Sequence, residues 1–460
     1  MIVKLLFIIA GHIFVLSRIK FFPYPELFVY PYLTQIGLLP YRQILDQHFP
    51  GILFFPINFA SIGIDTPYEM RLVNYFLVAI SHILIYQLSK RIFDDKRFFL
   101  LPNLFFSFWH PFFEGYVLWI DSFVAPLLLL AAIATVEFEK KRDAKFIFFI
   151  GFILGTTLVI KQVTFPLIFL FCLYLWLKFR RVSYFISLAC GLLLPILYLA
   201  YFVVDRGIVE DFWFWTIVFN LTTFSQMGRK LIRTTEMVKI SFPFLIALAY
   251  SLYVLAEERA PLKNKVMPVA VFFLGGLFFA YARFDFVHLQ PSLPFAVVIL
   301  ALIIFRFRKH KLRGFASVAT TAGIFAIIAL FIYYGYVKLL TSEVSFYGAQ
   351  EMNVARLVNA FADSGQSVFA FGSTPHIYQM THTRPAGNLF VFQFPWFMKV
   401  AETRILEGLI SDPPKVIIRD RFAEVAGINL TKYSSEIDKY VDRYYHVVEN
   451  VNNVEILIPN

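Results

Sequence analysis

The chain has 460 residues, 59% of them hydrophobic, and a formal net charge of +11. That apolar share, with a mean hydropathy of +0.67, exceeds what a soluble chain of this length needs to fill its core, so bilayer must act as solvent for much of the surface. The charge does not mark a nucleic-acid binder, because the basic residues form short clusters between apolar runs rather than one soluble face. Cys172 and Cys190 both lie inside apolar runs and offer neither a disulfide framework nor metal-ligand spacing.

Apolar segments long enough to cross a bilayer recur from the N-terminus to about residue 336, roughly eleven in all. Their centres fall near Ile9, Ala79, Phe106, Leu129, Leu154, Phe169, Leu193, Ile246, Leu274, Val298 and Ala326. The first, Ile2 to Leu16, reads as a short membrane helix, since no small-residue cleavage pattern follows it and Arg18 to Pro23 has the character of an interfacial exit. Basic clusters at Lys90 to Arg97, Lys140 to Lys145, Lys178 to Arg181, Arg259 to Lys265 and Arg306 to Arg313 mark every second connection. Those loops are expected on the cytoplasmic side. The others then face outward: Tyr24 to Arg71, the turns at Asp121 and Lys161, Asp205 to Lys239, and Arg283 to Gln290. Arg229, Lys230 and Arg233 breach the bias, which a longer outer loop tolerates.

From about Ser342 the hydropathy drops. Gln350 to Ala362 carries apolar residues at helical spacing, and Ser367 to Phe371, Lys415 to Ile418 and Val454 to Ile458 are short strand-like runs. The expected organisation is an α-helical polytopic membrane domain over residues 1–340, with a first outer loop at about 18–70, followed by a small extracytoplasmic α/β domain over 341–460.

The outer connections hold the chemistry-bearing residues. The first loop contains Glu26 and then Gly37-Leu38-Leu39-Pro40-Tyr41-Arg42-Gln43-Ile44-Leu45-Asp46-Gln47-His48-Phe49-Pro50-Gly51. Its two carboxylates are the candidates for accepting a proton, and His48 and Arg42 stand close enough in sequence to Asp46 to hold it ionised. Asp121 tops a helical hairpin, a place where a carboxylate is a site acid or the partner of a cation. Lys161-Gln162 joins two apolar helices, where an ammonium suits a phosphate. Arg283 offers bidentate phosphate recognition, and His288 either donates to a phosphate oxygen or coordinates a divalent metal. In the C-terminal domain, Gly372-Ser373-Thr374-Pro375 is a turn after a strand, without the spacing of a P-loop.

These segments resemble the GT-C superfamily of polytopic glycosyltransferases, in particular its protein-mannosyltransferase-like branch, known as family thirty-nine. The resemblance rests on Gly37, Pro40, Tyr41, Arg42, Asp46, His48, Pro50 and Gly51, on Lys161-Gln162, and on Arg283, His288 and Pro294. Pro25 and Gln43 depart from it, standing where the family tends to have acids, which leaves the base between Glu26 and Asp46, with Asp46 favoured because it lies within the best-matched run and close to His48 and Arg42. The resemblance implies an enzyme that moves a sugar from a polyprenyl-phosphate donor to a glycan, lipid or protein acceptor at the outer face of the cell membrane. It implies catalytic roles for Asp46, Glu26 and Asp121, and substrate contacts for Tyr41, Arg42, His48, Lys161, Gln162, Arg283 and His288. No cofactor is firmly predicted, a divalent metal at His288 being the one candidate, and no nucleic acid is a partner. The alternatives are a transporter or flippase for lipid-linked saccharides, or a polymerase or ligase acting on them. The first expects paired broken helices in two halves and the second a large late outer loop with paired arginines, and neither pattern is evident.

Overall fold

The computed structural model describes residues 1–256, 260–309 and 340–460. The span expected near Ala326, and Arg259 and Arg313 of the basic loops, lie outside the described residues. Two compact units emerge: Met1–Phe22, Arg71–Leu199 and Lys230–Glu343 form the first, and Pro23–Met70, Ala200–Arg229 and Val344–Asn460 form the second.

Each of the other ten expected span centres falls on a helix. Pro67–Ile92, Ile120–Lys141, Gln162–Phe179 and Val182–Asp205 are long and apolar enough to cross a membrane, whereas Ala144–Ile160, Phe242–Ala256, Val266–Ala280 and Leu293–Arg306 are shorter apolar helices. The run around Phe106 shortens to Leu101–Phe112, because Pro102 occupies its first turn and Pro111 withdraws a backbone donor near its end.

Burial sorts these helices by role. In the most apolar 18-residue stretch of Ile120–Lys141, 78% of the residues are buried, against 28% in that of Val182–Asp205. The first carries small residues such as Ala131, Ala132 and Ala134 on its enclosed faces, while the second turns Ile186, Leu197 and Tyr201 outward, as a surface solvated by lipid requires. Helices Ala144–Ile160 and Val182–Asp205 touch backbone to backbone: a Cβ on Gly191 would lie 2.1 Å from the Phe148 carbonyl oxygen, and one on Gly151 would lie 2.3 Å from that of Leu188. Close approach through small residues is how helices associate where no hydrophobic drive exists between them. A polar seam unmarked by hydropathy adds to the packing. His12 Nδ1 lies 2.9 Å from His82 Nε2, His110 Nδ1 lies 3.3 Å from His12 Nε2, and the Asn103 amide donates to the His82 carbonyl at 2.8 Å.

The second unit is built on a five-stranded sheet in the order Tyr445–Val451, Val454–Pro459, Val416–Asp420, Ser367–Phe371, Arg384–Pro385. Ser367–Phe371 runs parallel to both of its neighbours, with Phe369 opposite Ile417, and all five of its residues are buried, as a central parallel strand covered on both faces demands. The loop after the first helix is part of this unit. Ile44–Leu45 pairs in parallel with Phe390–Val391, and the Tyr32 hydroxyl donates to the Thr383 carbonyl at 2.8 Å.

Candidate functional site

Each unit carries a cluster of buried ionisable side chains that includes residues singled out in the sequence. In the first, Asp121 is the second residue of helix Ile120–Lys141 and is fully enclosed. Its Oδ2 accepts from Lys161 Nζ at 2.6 Å and lies 2.9 Å from His288 Nδ1, which is itself 3.1 Å from the ammonium. Lys161 leaves the helical path, at φ −151°, where Ala144–Ile160 ends, yet its N–H still reaches the Thr157 carbonyl. Gln162 then opens the short turn Gln162–Thr164. Asp121 Oδ1 has no hydrogen-bond partner among the described residues. Thus Asp121 balances a cation through one oxygen and keeps an acceptor through the other.

His288 sits in the short turn Phe286–Leu289, which is pinned by a residue not anticipated from the sequence, Glu114. The Glu114 carboxylate accepts from Val287 N–H at 2.9 Å, and its carbonyl accepts from the Gln290 amide at 2.9 Å. Glu114 holds the left-handed conformation, with φ 58°, in the bend between two helices. Burial raises its carboxyl above the usual range. The available signal was its place as the acid of Phe113-Glu114-Gly115, but a lone acid in a turn is ordinarily solvated. Lys161 and Arg283 meet different carboxylates: Arg283 Nε lies 3.2 Å from Asp285 Oδ2, and Lys230 Nζ lies 2.5 Å from Asp285 Oδ1.

In the second unit, Pro25 precedes helix Glu26–Gln35, and Glu26 and Tyr30 stand one turn apart on it. The Tyr30 hydroxyl donates to Asp46 Oδ2 at 2.7 Å. Asp46 Oδ1 accepts the His48 backbone N–H at 2.6 Å, an Asx-type turn, and lies 3.0 Å from His48 Nδ1. The Tyr41 hydroxyl donates to the His48 carbonyl at 2.8 Å and so braces the same turn. Glu26 is differently placed. Burial, with a smaller contribution from the negative charge of Asp46, pushes its carboxyl up to about 8, and its Oε2 has no hydrogen-bond partner among the described residues.

Arg42 does not support Asp46 as expected. Its guanidinium reaches Asp211 at 2.8 Å and the Gly207 carbonyl instead, because Tyr41 at φ 62° turns the chain between Pro40 and Gln43. Among the described residues, no group of three or more His, Cys, Asp or Glu is arranged to hold a metal ion. At His288 the Lys161 ammonium supplies the positive charge beside Asp121.

Apolar helices, buried charges near their ends and an α/β unit are the parts of a membrane-protein fold and agree with the architecture expected from the sequence motifs. No family model and no curated protein matches the sequence. Among solved structures the chain is similar to ArnT from Cupriavidus metallidurans bound to undecaprenyl phosphate, with a TM-score of 0.66 and 10% identity, over 99% of this chain and 97% of that one. At that identity the likeness establishes the fold.

Proposed function

We propose that the chain is a membrane glycosyltransferase that moves a sugar from a polyprenyl-phosphate carrier to a hydroxyl of a cell-envelope acceptor, at the outer face of the membrane and with the C-terminal domain outside. The observation that carries this reading is the likeness in fold, over nearly the whole length of both chains, to a protein whose structure holds undecaprenyl phosphate. The two buried clusters supply the kinds of group that such a transfer consumes.

In the first unit, Lys161, His288 and Arg283 serve the carrier phosphate. The bond between the anomeric carbon and the phosphate oxygen breaks with its electron pair going to the phosphate, and fixed cations in a partly dry site stabilise the charge that develops there. Asp121 keeps Lys161 in place and offers Oδ1 to an acceptor hydroxyl. In the second unit, Glu26 takes the proton of the acceptor hydroxyl as its oxygen bonds to the anomeric carbon. Glu26 is preferred over Asp46 because both Asp46 oxygens are engaged, by Tyr30 and His48, while Glu26 Oε2 is not. On this reading Asp46, Tyr41 and His48 shape the loop, and Arg42 anchors it to Asp211.

The test is to incubate the purified chain in nanodiscs with a panel of polyprenyl-phosphate sugars and follow release of the lipid phosphate by mass spectrometry. Acceptor-dependent release from at least one donor is expected. Movement of intact lipid-linked sugar between leaflets of proteoliposomes without cleavage of any donor would favour the transporter alternative and sink the enzyme reading.

A further inference from the structure

The second unit contains a cavity of about 270 Å3 that the transfer reading does not use. It opens beside the turn Gly372–Pro375, after strand Ser367–Phe371, and beside residues 423–425, after the parallel strand Val416–Asp420. The carboxyl ends of parallel strands are where open α/β sheets receive ligands. The walls are built from Phe369, Tyr378, Phe390, Phe392, Leu430 and Tyr433.

Two properties narrow the occupant. First, the polar groups of the wall are already engaged with one another. Ala370 N–H donates to the Tyr378 hydroxyl at 2.9 Å, Gln393 accepts from Gly372 N–H and donates to the Ala370 carbonyl, each at 2.7 Å, and the Tyr433 hydroxyl donates to the Gln393 carbonyl at 2.8 Å. Ser373 and Thr374 share a hydroxyl contact at 2.7 Å. A ligand rich in hydroxyls would give up its bonds to water and find few replacements. Second, the lining includes no lysine, arginine or histidine, and its one carboxylate, Glu424, lies at the exposed rim. An anionic headgroup would meet that carboxylate without a compensating cation. Size agrees with an apolar occupant: an apolar cavity of about 150 Å3 already stays dry and takes up benzene.

We propose that this cavity binds the hydrocarbon chain of a neutral amphiphile. Phe390 and Phe392 of its wall also pack on Tyr30, the partner of Asp46, but the lining includes neither Glu26 nor Asp46, and its occupancy does not depend on sugar transfer. An acyl lipid and an isoprenoid alcohol share the required chemistry.

The experiment is photolabelling of the full chain in nanodiscs with three probes, each bearing a diazirine at its chain end: a short-chain monoacylglycerol, the matched fatty acid and a matched prenyl alcohol. Labelled peptides are mapped by mass spectrometry. The monoacylglycerol or the prenyl alcohol is expected to label the segments 369–378 and 389–394, the stronger of the two naming the source of the chain, and the fatty acid to label them several-fold less. Ala423→Trp and Val425→Trp, which fill the mouth from an edge loop, should each abolish that labelling while leaving the thermal unfolding of the protein unchanged. Labelling of these segments that persists in both variants, labelling confined to the apolar helices, or protection of the segments by a soluble sugar would overturn the proposal.

Discussion

Lys161 Nζ lies 2.6 Å from Asp121 Oδ2 although the residues are 40 positions apart, and both side chains are enclosed. Removing one member leaves the other charge in a medium that solvates it poorly, which costs on the order of 3–5 kcal/mol. Lys161→Met and Asp121→Asn are each expected to lower the unfolding temperature of the detergent-solubilised protein and to abolish release of the carrier phosphate. The double variant Lys161→Met with Asp121→Leu should recover much of the stability and none of the activity. A double variant that transfers sugar at the normal rate would reduce the pair to a packing device.

Glu26 should govern the pH dependence of transfer. A base acts in its ionised form, and this carboxyl is held neutral up to about 8, so the rate should climb with pH through that value and level off above it. Stability runs the other way. The folded unit keeps a proton that the unfolded chain releases near the ordinary 4.5, so this group favours folding less and less as pH rises from there to about 8. Glu26→Gln should flatten the stability trend and eliminate transfer. A rate already level below pH 7, with Glu26→Gln active and Asp46→Asn inactive, would move the base to Asp46.

Glu114 positions His288 through the N–H of Val287. Glu114→Gln keeps an oxygen that can accept from that N–H, whereas Glu114→Ala does not. The alanine variant should lose on the order of a hundredfold in turnover, the scale of a misplaced active-site group, while the glutamine variant stays near the normal rate. Binding of undecaprenyl phosphate, followed by native mass spectrometry, should weaken in the alanine variant alone. Equal loss in both variants, tracking unfolding temperature, would mean that the carboxylate only stabilises the fold.

Gly191 is a packing position. The Cβ of Gly191→Ala would meet the Phe148 carbonyl at 2.1 Å, so the two helices must separate, at about 1–3 kcal/mol. Gly11→Ala, on a helix face with nothing within 4 Å, is the matched neutral control. Thermal unfolding of both variants in the same detergent makes the comparison, and an equally stable Gly191→Ala would show that the helices have room to part.

Much of the first unit was legible because a run of apolar residues needs only local information to declare itself a helix in lipid. Ten expected span centres lie on helices for that reason. Their lengths were less legible, since prolines such as Pro102 and Pro111 cut an apolar run without changing its hydropathy. Strands Ser367–Phe371 and Val454–Pro459 stood out because each is a short β-rich run bounded by turn residues. Arg42 shows the limit of proximity along the chain: four residues from Asp46, it is carried to Asp211 by a turn whose direction depends on Tyr41 at positive φ.

The sequence by itself determined the solvent of this protein, the succession of its helices, the α/β character of its C-terminal part and the residue types available for phosphate and proton chemistry, because composition and periodicity act over a few turns of chain. Only the tertiary structure decided that Lys161 and His288 meet on Asp121, that Glu114 pins the turn carrying His288, that Tyr30 occupies Asp46 and that Glu26 is kept neutral. Those outcomes depend on burial and on contacts between residues from 16 to 173 positions apart, and no local pattern in a chain encodes which distant group will share its low-dielectric surroundings.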